Sequence, residues 1–141
     1  MTKSELKQLI KDILLEGKPP SIFIPRRMED RLERMIKNYV KNGSKGDLDL
    51  SKLKLTELPE ILKDITVGGN FYCGGNNLTS LENCPKTVGG SFGCSFNKLT
   101  SLAGAPKIVD KDFHCRNNTV QFTEQDVRAV CDVKEGTIYT T

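Results

Sequence analysis

The chain has 141 residues, about the length of one domain, which leaves little room for a catalytic domain beside a separate partner domain. Its 21 Lys and Arg against 18 Asp and Glu leave a net charge of +3, too small a surplus to indicate a polyanionic partner by itself. No apolar run approaches the roughly 18 residues that cross a bilayer, and no signal peptide is evident, so we expect a cytoplasmic protein with its five cysteines as thiols.

Residues 1–17 are predicted to form an amphipathic docking helix. Thr2 and Glu5 form a capping box, Gly17 ends the pattern, and one face is apolar: Leu6, Leu9, Ile10, Ile13 and Leu14. This face must be buried, so we expect it to dock on the next helix or on a neighbouring subunit, the latter giving a homo-oligomer. Insertion of this apolar face into a groove of a partner protein is the more specific alternative. Membrane binding is the least favoured, because only three lysines supply a basic side.

Residues 18–46 combine a stiff Lys18-Pro19-Pro20 linker with a helical cap that opens after Pro25 and closes at Gly43. Apolar residues recur at helical spacing: Met28, Leu32, Met35, Ile36, Tyr39 and Val40. We expect this stripe to cover the first unit of the repeats that follow. The basic residues of the helix are interleaved with acidic ones, which favours a solvated, salt-bridged face over a nucleic-acid site.

Residues 47–122 contain an internal repeat with a spacing of 21 residues, and its copies begin at Val67, Val88 and Val109. Four columns stay in register: Phe71, Phe92 and Phe113; Cys73, Cys94 and Cys115; Asn76, Asn97 and Asn118; and Leu78, Leu99 and Val120. A degenerate copy upstream places Leu48 and Leu50 in the first two columns. The shared pattern is F-x-C-x-x-N-x-L.

This pattern resembles the leucine-rich repeat family, whose L-x-L-x-x-N-x-L motif it matches with the first two leucines replaced by Phe and Cys. It is similar to the short-repeat form found in bacterial effectors and bacteriophage-encoded proteins. The resemblance covers residues 47–122 and implies a solenoid whose concave sheet is presented to a protein partner.

Alternation around Phe and Cys independently predicts short parallel strands with those two side chains inward. The Asn column is expected to satisfy backbone groups at the turn after each strand. Gly68-Gly69 and Gly89-Gly90 are expected to supply positive φ before the next strand, although Asp110-Lys111 takes their place in the third copy.

Residues 123–141 are predicted to cap the last repeat. Thr123 and Asp126 belong to a capping-box pattern that opens a short helix, and Gly136 precedes the β-prone segment 137–139. The predicted fold class is therefore α+β: a leucine-rich repeat solenoid with a short parallel sheet, an N-terminal helical cap and a C-terminal helix and strand cap.

The cysteines and the single histidine do not predict catalysis. The stacked Cys73, Cys94 and Cys115 are expected to pack in the core as small hydrophobes. Strand alternation predicts that the His114 side chain points outward and the Cys115 side chain inward. The two side chains therefore cannot meet as a Cys-His nucleophile pair. No metal spacing or phosphate loop is present, and we expect neither an enzyme nor a cofactor.

The outward strand positions are the candidate partner-binding surface: Asn70, Tyr72, Ser91, Ser95, Phe96, Asp112, His114 and Arg116. They include large aromatic and Arg side chains, which are frequent interface anchors, around a glycine dimple between Tyr72 and His114. Phe96 alternatively packs over its turn. We expect a non-catalytic protein-binding module, consistent with a phage accessory protein acting on a host factor; the alternative is a structural component that assembles through residues 1–17.

Overall fold

The computed structural model describes residues 26–141, with side chains from Arg31 onward, and the isolated positions Lys3 and Leu6. Lys3 and Leu6 are both helical, but the predicted docking helix 1–17 as a whole and the linker up to residue 25 lie outside the described residues. Within the described part of the chain, no helix is long and apolar enough to cross a membrane.

Residues 26–141 form an α+β structure of two α-helices, one 3₁₀ helix and nine short strands. The helices are α1 (Arg26–Lys41), the 3₁₀ helix (Glu60–Asp64) and α2 (Glu124–Arg128). The strands are β1 (Leu48–Asp49), β2 (Thr66–Val67), β3 (Phe71–Tyr72), β4 (Thr87–Val88), β5 (Phe92–Gly93), β6 (Ile108–Val109), β7 (Phe113–His114), β8 (Asp132–Val133) and β9 (Ile138–Tyr139).

The strands form two parallel sheets. The five-stranded sheet has the order β1-β3-β5-β7-β9, and the four-stranded sheet has the order β2-β4-β6-β8, so consecutive strands alternate between them. Each repeat adds one strand to each sheet, as the registers Phe71↔Phe92 and Val67↔Val88 demonstrate. The parallel sheet was predicted, but the four-stranded sheet was not; it forms where the chain passes the valine that begins each copy.

The core between the sheets is built from the repeated columns. Phe71, Phe92 and Phe113 are fully buried and contact one another in a row. The Phe71 and Phe92 rings stack with centroids 5.9 Å apart, and the Phe92 and Phe113 rings are tilted by 59° with centroids 5.0 Å apart. The valines of the four-stranded sheet face them and are also buried: Val67, Val88, Val109 and Val133. The cysteines are free thiols and buried, which confirms their predicted packing in the core.

The asparagine column satisfies backbone groups at the strand ends, as predicted. Asn76 Nδ2 donates to the carbonyl oxygens of Cys73 and Leu50, each at 2.9 Å, and its Oδ1 accepts from the backbone N–H of Leu53 and Leu55. Asn97 and Asn118 repeat the arrangement in the next two copies. Each side chain therefore joins its own turn to the preceding repeat.

The prediction that the paired glycines supply positive φ is wrong. Gly68, Gly69, Gly89 and Gly90 are not among the residues with positive φ. A Cβ at Gly89 would lie 2.5 Å from the Gly68 carbonyl oxygen, and a Cβ at Gly68 would lie 2.7 Å from that of Ser44. These positions require glycine because successive repeats approach each other backbone to backbone, and not because of a left-handed conformation.

The N-terminal end of the core is covered by α1, whose Leu32, Ile36 and Tyr39 are buried as the helical spacing predicts. The Tyr39 hydroxyl donates to the Ser44 carbonyl oxygen at 2.8 Å and accepts from the Gly68 N–H at 3.1 Å, which ties the helix to the first repeat. On the outer side, Lys37 and Glu33 form an ion pair at 2.6 Å.

The C-terminal segment continues the sheets as well as covering the core. The predicted capping box is present, because Thr123 Oγ1 accepts from the Asp126 N–H and the Asp126 carboxylate accepts from the Thr123 N–H. Beyond α2, β8 and β9 join the four-stranded and five-stranded sheets. Val120, assigned to the inward leucine column, is 40% exposed, and Phe122 is buried instead.

Candidate functional site

The exposed side of the five-stranded sheet, opposite the buried phenylalanine and cysteine columns, is here called the outer face. Its central row holds one residue from each strand: Asp49, Tyr72, Gly93, His114 and Tyr139. Parallel pairing in register aligns these positions across the sheet, with about 4.8 Å between neighbouring strands. Three of the five are aromatic, so the row is an amphipathic strip and not a uniformly polar surface.

Tyr72 lies over the glycine beside it. A Cβ at Gly93 would lie 3.0 Å from Tyr72 Cδ1 and 3.6 Å from its Cε1, and the Gly93 position is buried. The predicted dimple between Tyr72 and His114 is therefore partly covered by the Tyr72 ring. Because Gly93 has no side chain, the Tyr72 ring lies beside it, and Tyr72 as a whole is half-buried.

His114 stacks on Tyr139 at the C-terminal end of the row. The ring centroids are 4.6 Å apart, and the ring planes differ by 7°. Burial lowers the pKa of His114 below its ordinary value of 6.5, the neighbouring Arg116 lowers it further, and Asp112 opposes both. The lowered pKa favours the neutral imidazole at pH 7, and the stack of His114 with Tyr139, which is 41% exposed, is an uncharged aromatic platform.

Three predicted partner-binding residues join successive repeats at the start of each strand. Asn70 Oδ1 accepts from the Ser91 N–H at 2.7 Å, Ser91 Oγ accepts from the Asp112 N–H at 3.2 Å, and Asp112 Oδ1 accepts from the Thr137 N–H at 2.8 Å. Asp47 begins the series by accepting from the Asn70 N–H at 2.8 Å. These side chains are half-buried, except for the exposed Asp47, and stabilise the stack of repeats.

The remaining predicted site residues lie toward the strand ends. Ser95 is half-buried, and its hydroxyl oxygen is enclosed by protein, with no hydrogen-bond partner among residues 26–141. Arg116 is exposed. The structure thus brings Tyr72, His114 and Arg116 onto one surface and leaves Ser95 beneath it.

Phe96 is the most unusual residue of the surface. Its φ is 58°, in the left-handed region, and its side chain is 57% exposed. Lys52, Gly75 and Asn117 occupy the same place in the other repeats and also have positive φ, so the turn imposes this conformation. The exposure does not agree with packing of Phe96 over its own turn.

Tyr139 was not predicted as a site residue, although it completes the aromatic row. Ile138 pairs with Phe113, so β9 follows β7 at a longer interval than the one that separates the regular copies. The β-prone residues 137–139 were the available signal. A few additional residues precede this last strand, so residues 137–139 do not align with the other copies at the regular repeat spacing.

The cysteines are shielded from chemistry at the outer face. Burial raises the pKa of Cys115 and of Cys131 to about 11, and burial also raises the thiol pKa values of Cys73, Cys84 and Cys94 well above their ordinary value. A thiolate nucleophile is therefore disfavoured at neutral pH at all five positions. Within the described part of the chain, no group of three His, Cys, Asp or Glu residues is arranged to hold a metal ion.

Searches of family models, curated proteins and solved structures find no match to this chain.

Proposed function

We propose that the protein is a non-catalytic protein-binding module that engages a partner protein through the outer face. The observation that carries this proposal is the aromatic row: half-buried Tyr72 over Gly93, followed by the parallel stack of His114 on Tyr139. Rigid aromatic side chains with one ring face open to solvent provide a large contact area at a low entropic cost, and such residues are frequent interface hot spots.

We infer further that residues 47–122 are a leucine-rich repeat solenoid. In support, each repeat adds one strand to each parallel sheet, and the Asn97 amide bonds the preceding repeat through the Cys73 carbonyl oxygen. Stacked repeats that contact only their neighbours are the general architecture of such proteins. In this proposal α1 is the N-terminal cap of the solenoid, and α2, β8 and β9 form its C-terminal cap.

The absence of catalysis is part of the proposal. In support, the five thiols are buried with raised pKa values, and His114 faces away from the Cys115 side chain on the adjacent position of the strand. A role as a phage accessory protein that acts on a host factor in the host cytoplasm rests on the resemblance to short-repeat phage and bacterial proteins.

Affinity capture from a lysate of the source cell tests the proposal. The bait is the full chain, compared with a Tyr72→Ala, Tyr139→Ala double variant and with Thr66→Ala, which removes an exposed side chain from the four-stranded sheet. We expect a partner that mass spectrometry recovers with the wild type and with Thr66→Ala, and loses with the double variant. Equal recovery by all three baits would contradict binding through the outer face.

Deletion of residues 1–17 distinguishes the structural alternative. If the partner or a self-assembled species is lost only with this deletion, the N-terminal segment carries the function and the repeats are a scaffold. Analytical ultracentrifugation of the deleted and full chains provides the second measurement, because an assembly element changes the sedimenting mass.

A further inference from the structure

The ends of the strands in the five-stranded sheet form a basic border around Phe96. This border, here called the strand-end edge, comprises Lys52, Lys54, Phe96, Lys98 and Arg116, all of which are exposed. The equivalent segments 50–58, 73–81, 94–102 and 115–123, which follow the strands in the four repeats, contain four Lys or Arg and one acidic residue, Glu57. These segments therefore carry a local charge of +3, as large as the net charge of the whole protein.

The basic character is specific to this border. At the opposite ends of the same strands, the exposed cations Lys45 and Lys111 alternate with Asp47 and Asp110, so no single sign of charge dominates there. Within the described residues of the strand-end edge, no carboxylate neutralises Lys52, Lys98 or Arg116, and the ion pairs of the described residues lie elsewhere on the surface.

Phe96 stands at the centre of this border at an energetic cost. A left-handed backbone is unfavourable for an L-residue with a Cβ, and only Gly, Asn and Asp adopt it readily. The next repeat places Asn117 at the equivalent position with a φ of 57°, and the preceding repeat places Gly75 there. Phe96 recovers little of this cost by burial, since more than half of its side chain is exposed.

The neighbouring repeats leave room beside the Phe96 ring. Backbone hydrogen bonds from the Gly75 N–H to the Ser95 carbonyl oxygen and from the Phe96 N–H to that of Arg116, each at 3.0 Å, keep the turns in register. Gly75 has no side chain, and a Cβ there would lie 3.1 Å from Lys52 Cγ. The aliphatic part of the Lys52 side chain therefore lies against Gly75, on the side away from Phe96. Lys52 and Phe96 consequently border the same small-residue position.

We propose that the strand-end edge binds an acidic polypeptide segment that carries a large apolar side chain. The apolar side chain packs against Phe96, and flanking carboxylates pair with Lys98 and Arg116 on one side and with Lys52 and Lys54 on the other. This inference rests on the proposed function, and it specifies the chemistry of the partner at one border of the outer face.

An acidic peptide fits this border better than single-stranded nucleic acid. Sequence-tolerant binding of nucleic acid uses aromatic platforms for successive bases, whereas at this edge Phe96 is flanked by Gly75 and Asn117. The single apolar contact at Phe96, surrounded by cationic side chains, suits a peptide with one apolar anchor residue among acidic residues.

Selection of displayed peptides tests the inference. A library of random dodecapeptides is selected on the immobilised full chain, and the enriched peptides are synthesised with a fluorescein label for anisotropy titrations. We expect enriched sequences with net negative charge and at least one Leu, Ile, Met, Phe or Trp. Their Kd should rise about tenfold or more, equivalent to at least about 1.4 kcal/mol, with Phe96→Asn and with Arg116→Glu.

Lys107→Glu is the matched control, because Lys107 is exposed and borders the four-stranded sheet; it should change the Kd less than about twofold. Phe96→Asn is chosen because Asn117 already occupies the equivalent turn, so the fold is retained. Lack of reproducible enrichment, enrichment of neutral or basic peptides, or a Kd unchanged by Phe96→Asn would overturn the inference. So would tighter, Phe96-dependent binding of a fluorescein-labelled oligothymidine.

Failure here is distinguishable from failure of the proposed function. Peptides whose binding falls with Tyr72→Ala but not with Phe96→Asn would support partner binding by the aromatic row while overturning the assignment of the strand-end edge.

Discussion

The Asn97 side-chain amide donates to the Cys73 carbonyl oxygen at 3.0 Å and so joins two neighbouring repeats of the stack. The same amide donates to the Cys94 carbonyl oxygen at 3.1 Å, and Asn97 Oδ1 accepts from the Leu78 N–H at 3.1 Å. One side chain thus contacts three backbone groups and is the acceptor for the Leu78 N–H. These bonds add to the backbone hydrogen bonds between the same repeats, such as those from the Phe71 N–H to the Ser91 carbonyl oxygen at 2.9 Å and from the Cys73 N–H to that of Gly93 at 2.8 Å.

Asn97→Ala should destabilise the protein by about 1–3 kcal/mol, the usual cost of leaving one buried backbone group unpaired. The substitution leaves the Leu78 N–H without its acceptor, whereas the Cys73 and Cys94 carbonyl oxygens keep the bonds donated by Asn76 and Asn118. Urea unfolding followed by circular dichroism measures the change. Asn77→Ala is the control one repeat earlier, at a half-buried asparagine beside the column, and should shift stability by no more than about 0.5 kcal/mol. Equal effects of the two substitutions would contradict the role of the asparagine column.

Gly89→Ala should cost about 2 kcal/mol or more, whereas Gly93→Ala should cost about 1 kcal/mol. The new methyl group at Gly89 would lie 2.5 Å from the Gly68 carbonyl oxygen, which is backbone and cannot move without separating two repeats. At Gly93 it would meet the Tyr72 ring at 3.0 Å, and a side chain can rotate away. Thermal unfolding ranks the pair, and the reverse order would show that the repeats are not held by close backbone approach.

Phe96→Asn should leave stability unchanged or raise it by about 0.5 kcal/mol, because asparagine tolerates the left-handed turn better than phenylalanine does. Phe96→Val tests the conformational cause, since a β-branched residue is least compatible with positive φ and should destabilise by about 1 kcal/mol. Denaturant titrations of both variants check this. A large loss with Phe96→Asn would mean that the exposed ring stabilises the fold and is not retained for binding.

Stability should fall as the pH is lowered from 7 through the range around 6.5, in part through His114. Burial, the largest cause, lowers the pKa of His114 in the folded state, so the unfolded chain takes up more protons as the pH falls below the ordinary value of 6.5. The contribution is complete above that value and is lost progressively down to the folded-state pKa. Thermal midpoints across this range should decline more steeply for the wild type than for His114→Gln.

The other titrating groups are common to both proteins, so the difference between the two curves isolates the histidine. Parallel curves would indicate that His114 has the same proton affinity in the folded and unfolded chains. Tyr139→Ala is a second comparison, because removal of the stacked ring exposes the imidazole and should reduce the pH dependence without removing the titrating group.

Phe92 and Cys94 illustrate what could be predicted from sequence. Their alternation with polar neighbours and their recurrence at the same place in each copy indicated inward side chains, parallel strands and an asparagine at each turn, and the structure confirms these features. These features repeat in every copy, so several aligned residue positions indicate the same local backbone geometry. Tyr72 and His114 were placed on the opposite side of the strands by the same alternation.

The sequence by itself determined which side chains face inward, because alternation within a strand is a local property of the backbone. Only the tertiary structure decided how distant copies meet: that Gly89 is needed for contact with Gly68, that Asn70 and Ser91 join repeats, and that Tyr139 stacks on His114. These relationships depend on the spacing between stacked chains and on an irregular last repeat. The left-handed turn at Phe96 belongs with them, since nothing in its own side chain favours that conformation.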